Sequence, residues 1–174
     1  MKRTMLFPIL LICLHTSTMI SAQSIFTSIT SASTIPVTIV ERGESIFIEN
    51  VQECLNIIEQ EAKKIPMTGV AVAAFIPGEE TTDWISKMRV VGKLADDKVN
   101  LLGIAYTKAA EMAVTHQNSG NSERKDMRGE YGYEGGVIKP VNGGYLICAF
   151  SGGRSEDDVY AAQKGLDWLA SKFQ

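Results

Sequence analysis

Residues 137–150 read Val-Ile-Lys-Pro-Val-Asn-Gly-Gly-Tyr-Leu-Ile-Cys-Ala-Phe. Two apolar segments, 137–141 and 144–150, meet at Asn142-Gly143, a dipeptide suited to a two-residue hairpin turn. A hairpin demands antiparallel pairing, so this stretch argues for an α+β layer rather than a doubly wound parallel sheet. Upstream, residues 70–76 form a wholly apolar run bounded by Gly69 and Pro77-Gly78 and read as a buried strand. Residues 84–91, with Trp84, Ile85, Met88, Val90 and Val91, are the next strand. Val51, Cys54, Leu55, Ile58 and Ala62 recur at helical spacing within 44–64, and Pro66 lies just past that helix. A second helix spans 100–116, where Leu102, Ala105, Ala109, Met112 and His116 share a stripe. A third spans 156–173, with Val159, Ala162, Leu166 and Leu169 facing inward. Ser155 is its expected N-cap, and Asp158 completes a pattern like a capping box. The expected order is helix, two strands, helix, two strands, helix, in a single domain over 45–174.

The chain has 174 residues, 45% hydrophobic and 21% charged, with a formal charge of −3. These values fit one globular domain and lack the basic footprint of a nucleic-acid binder. Residues 1–22 read as a secretory signal: Lys2-Arg3, then the apolar run 6–14, then Ser21-Ala22 before Gln23. The apolar run is short of the roughly 20 residues a spanning helix needs, so no membrane span is expected after the signal is removed. Losing Lys2 and Arg3 leaves 15 basic and 20 acidic residues, a net charge of −5. The expected destination is the periplasm or the exterior. Residues 23–44 are a Ser/Thr-rich linker, in which the β-branched stretch 34–40 is a candidate edge strand because of Pro36.

Removal of the signal leaves one histidine, His116, and two cysteines, Cys54 and Cys148. The cysteines either pair in an oxidising compartment or are buried apolar thiols. A Ser/His/Asp triad would have to use His116, and no G-x-S-x-G elbow, P-loop or zinc-ligand spacing is present. His116 is a candidate axial ligand to haem iron; the other reading is a helix-end histidine favoured by the dipole. Met112, Met88 and Tyr106 either line an apolar pocket or belong to the core. Ser151-Gly152-Gly153-Arg154-Ser155 reads either as an anion cradle or as a tight strand-to-helix connection, and Glu156, Asp157 and Asp158 would repel an anion. The polar stretch 117–128 reads as a long exposed loop, with Tyr131 and Tyr133 beside it.

Three strings resemble one family. They are the small-residue helix Ala-Tyr-Thr-Lys-Ala-Ala-Glu-Met-Ala at 105–113, the Gly-Gly turn in Gly-Gly-Val-Ile-Lys-Pro at 135–140, and Phe-Ser-Gly-Gly-Arg-Ser-Glu-Asp-Asp at 150–158. The last is similar to a Ser-Gly-Gly-x-x-x-x-Asp signature of the GlcG/HbpS-like group, which includes haem-binding secreted proteins. The resemblance covers residues 45–174. It implies a profilin-like α+β fold, an antiparallel sheet flanked by helices, usually in homo-oligomers, with haem or a related tetrapyrrole as ligand. No ligand residue is carried over from the family; on chemical grounds alone, His116 would hold the iron of such a site, Met112 and Met88 would meet the ring, and Arg89, Lys108 or Arg154 would meet the propionates. The chain departs from the pattern at Lys87-Met88-Arg89 and in the longer charged loop 117–131. The expected function is an exported small-ligand-binding protein. The alternatives are an oligomeric interaction module without cofactor and an enzyme acting on a small metabolite or on haem.

Overall fold

The structure is a computed structural model that describes residues 39–121 and 131–174. Its elements are α1 (Ile39–Lys64), β1 (Gly69–Pro77), β2 (Ile85–Val91), α2 (Leu101–Thr115), β3 (Gly136–Val141), β4 (Gly144–Ser151) and α3 (Ser155–Ala170). The four strands form one sheet in the order β2-β1-β4-β3, and every neighbouring pair is antiparallel. The chain is therefore α+β, as the hairpin implies. β1 is central because it can be: Val70 to Ile76 carry no polar side chain and are fully buried on both faces.

Alternation along the strands divides the interior into two layers. Ala71, Ala73 and Phe75 of β1, with Leu146, Cys148 and Phe150 of β4, face α1 and α3. Val70, Val72, Ala74 and Ile76, with Ile147 and Ala149, face α2. The α1 stripe of Phe47, Val51, Cys54, Leu55, Ile58 and Ala62 is buried, as its spacing requires. The outer strands are wetter. Arg89 of β2 pairs with Glu59 of α1 at 2.5 Å, and β3 places Lys139 and Pro140 on a sheet edge, where proline costs no ladder bond.

Three expectations change. First, α1 starts at Ile39, so the expected linker to residue 44 and the edge strand at 34–40 give way to helix at Ile39-Val40. β-Branched Ile39 and Val40 and the following Gly43 argue against helix locally. Gly43 has a packing reason: a side chain there would come within 2.6 Å of the Phe75 ring. The signal and the linker up to residue 38 lie outside the described residues, as does 122–130 of the expected exposed loop. Second, α3 begins one residue earlier than its capping pattern suggests. Arg154 occupies the N-cap position with no side-chain cap, and Ser155 lies within the helix. Asp158 turns inward to another task. Third, α3 ends at Ala170, and Phe173 folds back against Phe75 with ring centroids 5.5 Å apart.

Candidate functional site

The three strings that resemble the family are far apart in sequence and meet at one point. Lys108 projects from the sheet-facing side of α2 and is 2% exposed. Its Nζ donates to the Phe150 carbonyl at 2.6 Å and to Asp158 Oδ2 at 2.9 Å. The other carboxylate oxygen of Asp158 accepts from the Gly153 N–H at 2.8 Å. Gly135 closes the arrangement. Its φ is +124°, and a Cβ there would lie 2.3 Å from Lys108 Nζ and 2.9 Å from the Phe150 oxygen. Only glycine fits both the backbone and the space. Gly152 and Gly153 are small for a related reason. Side chains there would strike the Thr68 carbonyl at 2.1 Å and the Met67 sulfur at 2.2 Å. The Ser-Gly-Gly segment is thus a tight strand-to-helix connection wrapped around the ion pair, not a cradle open on all sides.

Burial governs the electrostatics here. Desolvation holds the Lys108 ammonium below the ordinary lysine range, opposed by the adjacent Asp158 charge. Desolvation also lifts the Asp158 carboxyl above the usual aspartate range, against the pull of Lys108 and of the Gly153 and Gly152 amides. Buried pairs of this kind are weak sources of net stability but are costly to break.

The pair lies at the floor of a cleft of about 540 Å³. Val99, Leu101, Ile104 and Tyr133 give it an apolar and aromatic wall, and Ser151 to Gly153 with Ser155 give it a polar one. Lys93 and Asp96 pair with each other at the rim at 3.0 Å. Glu134 adds a further carboxylate, so the lining carries three acidic and two basic side chains. Such a lining suits a small polar molecule better than a strongly anionic one. Beside it, buried Glu111 of α2 accepts from the Gly120 and Gly132 amides at 3.0 and 2.9 Å. It thereby ties together the two chain segments that flank residues 122–130.

The residues expected around haem do not assemble into one site. His116 caps α2 in the left-handed region, at φ 54°. Its imidazole is exposed and stacks on Tyr145, with centroids 4.3 Å apart. It lines a second cleft of about 570 Å³ whose other side chains, from Gln117, Asn118, Ser119, Asn121 and Glu134, are mostly polar, with Ile138 and Val159 at one side. Met112 is fully buried beneath Gly136 of β3. Met88 shares its sheet face but lies on the opposite edge strand, three strands away in the row Met88-Val72-Ala149-Gly136. Neighbouring strands are about 4.8 Å apart, which separates the two edges by roughly 14 Å. Arg154 is exposed and engaged with Asp157 and Glu156. Lys108 is the one residue of the set at the first cleft, and its ammonium is already paired. Among the described residues, His116, Met112 and Met88 do not line one common cleft. Among the described residues no group of three or more His, Cys, Asp or Glu side chains is placed to hold a metal ion.

Asp158, which the sequence pattern assigns to a cap, belongs to this candidate site. The signal that reveals it is periodicity. Lys108 falls on the Ala105, Ala109, Met112 stripe, and Asp158 on the Ala161, Ala162, Leu166 stripe. A charge on an apolar stripe requires an opposite charge across the interface.

No protein-family model matches the chain. No curated protein matches it either. Among solved structures it is similar in fold to Klebsiella pneumoniae protein ORFY, of family DUF336, with a TM-score of 0.53 and 16% identity over 71% of this chain and 90% of that one. DUF336 corresponds to the GlcG-like proteins, so a solved structure of that group shares this α+β fold. At that identity the likeness is one of fold alone.

Proposed function

We propose that the chain is an exported protein that binds a small polar ligand in the cleft above Lys108 and Asp158. The observation that carries this reading is the convergence of the three family-like strings on one buried, hydrogen-bonded ion pair at the base of an open cleft. Charged groups with burial-shifted protonation in a cleft concentrate at functional sites. The ion pair acts as a rigid floor: it fixes Gly153 and the start of α3, and it presents few free charges. Ligand contacts would then come from Tyr133, Ser155 and the Ser151–Gly153 backbone. Haem is the ligand that the family resemblance implies, and the placement of His116, Met112 and Met88 does not support it.

A thermal-shift screen of the full chain against amino acids, polyols and short hydroxy acids tests the reading, with haemin titrated in parallel. Tyr133 is 43% exposed, so Tyr133→Ala should leave folding intact while weakening binding about tenfold, as expected for loss of an aromatic contact. A saturable Soret shift abolished by His116→Ala would instead place the ligand in the second cleft. A stable chain that binds none of these probes would favour the interaction-module reading.

A further inference from the structure

We infer that Cys54 and Cys148 become an intramolecular disulfide when the chain folds under oxidising conditions, tying α1 to β4 through the middle of the core. The two residues are 94 positions apart, and their sulfurs are in contact at 3.6 Å. Both are fully buried. A disulfide needs about 2.05 Å, so the sulfurs must approach by roughly 1.5 Å. The surroundings hold them together. Cys148 sits opposite Ala73 in the ladder, and Gly165 of α3 lies so close that a Cβ there would come within 3.2 Å of Cys54 Sγ.

The step consumes one small-molecule or protein disulfide, RSSR. One cysteine thiolate attacks RSSR and expels RS⁻, giving a mixed disulfide. The second cysteine, as thiolate, then attacks the first cysteine's sulfur, forming the Cys54–Cys148 bond and breaking the bond to the other RS⁻. Two thiols are oxidised, one disulfide is reduced to two RSH, and the two cysteine protons end on the departing thiols. Timing follows from burial. The mutual contact with Cys54 and the lack of solvent push the Cys148 thiol well above its ordinary range, so the native core holds little thiolate. Exchange therefore takes place while the core is open, and the closed fold then shields whichever state was formed. The redox state records the compartment in which folding occurred.

The test uses the full chain carrying Cys13→Ser, which removes the third thiol. It is refolded from denaturant across a series of reduced-to-oxidised glutathione ratios, quenched, alkylated under denaturing conditions and mapped by mass spectrometry. The expected result is a monomeric species with a single Cys54–Cys148 cross-link that melts roughly 10 °C or more above the reduced form. Dithiothreitol should reduce it at least about tenfold more slowly in native buffer than in denaturant. Adding Cys54→Ala should abolish both the cross-link and the melting difference between oxidising and reducing buffers. Two alkylated thiols at the most oxidising ratio would overturn the inference. So would cross-links only between chains, or an oxidised form that melts below the reduced one.

Discussion

Lys108→Met probes the ion pair at the base of the cleft. In the native fold the side chains of Lys108 and Asp158 are 3% and 5% exposed, and the ammonium serves both Asp158 and the Phe150 carbonyl. Methionine fills similar space without charge, which leaves the Asp158 carboxylate buried with the Gly153 and Gly152 amides as its remaining partners. Breaking a buried pair on one side costs about 3–5 kcal/mol, a large share of the roughly 5–15 kcal/mol that holds a domain folded. Asp158→Leu should cost a similar amount. The double variant removes both charges; it leaves the Gly153 N–H without its acceptor, a loss of about 1–3 kcal/mol, and retains the loss at the Phe150 carbonyl that Lys108→Met already carries. A double-mutant cycle in urea at pH 7 should therefore give a coupling of at least about 3 kcal/mol. The pH dependence has a definite sign. Burial already lifts the Asp158 carboxyl, and without the ammonium it rises further. The folded Lys108→Met variant then binds more protons than its unfolded chain between the ordinary aspartate range and the lifted folded value. Its stability falls as pH rises through that window, so its urea midpoint relative to the native chain should be higher at pH 5 than at pH 7. Single variants that each cost under about 1 kcal/mol, or a double variant equal to their sum, would refute a coupled pair.

Gly135→Ala should destabilise the fold by about 2–4 kcal/mol, because φ +124° and a 2.3 Å approach to Lys108 Nζ both oppose a Cβ; chemical denaturation reads this. Glu111→Ala should cost about 2–4 kcal/mol and speed hydrogen exchange at the Gly120 and Gly132 amides, which would identify the carboxylate as the anchor of both segments. His116→Ala should lose only about 1 kcal/mol, the worth of the Tyr145 stack, and leave binding at the first cleft unchanged by calorimetry.

How much of this is legible in the sequence depends on which force decides each element. β1, the 136–151 hairpin and the stripe of α1 follow from periodicity and turn chemistry, because burial of apolar side chains sets them. The start of α1 does not, since Gly43 and two β-branched residues read as non-helical until Phe75 is seen to need the space. The chemical residues divide in the same way. The sequence marks Lys108 and Asp158 as charges on apolar stripes, but their meeting depends on how α2 and α3 cross the ends of β3 and β4, which one sequence does not reveal. The grouping of His116, Met112 and Met88 relied on residue chemistry alone. Met88 lies on edge strand β2 while Met112 of α2 packs beneath Gly136 of the opposite edge strand β3, and the left-handed cap at His116 turns its ring onto Tyr145. Cys54 and Cys148 show the converse case, two residues with no sequence signal for proximity that the core brings into contact.

Amide chemical-shift mapping of the full chain tests the site assignment most directly. The chain is titrated with the amino acids, polyols and hydroxy acids of the screen and, separately, with haemin. The cleft above Lys108 and Asp158 predicts saturable shifts at Gly132, Tyr133 and residues 152–155 that persist in His116→Ala. Saturable shifts confined to residues 116–121 and lost in His116→Ala, or no saturable response to any probe, would contradict it.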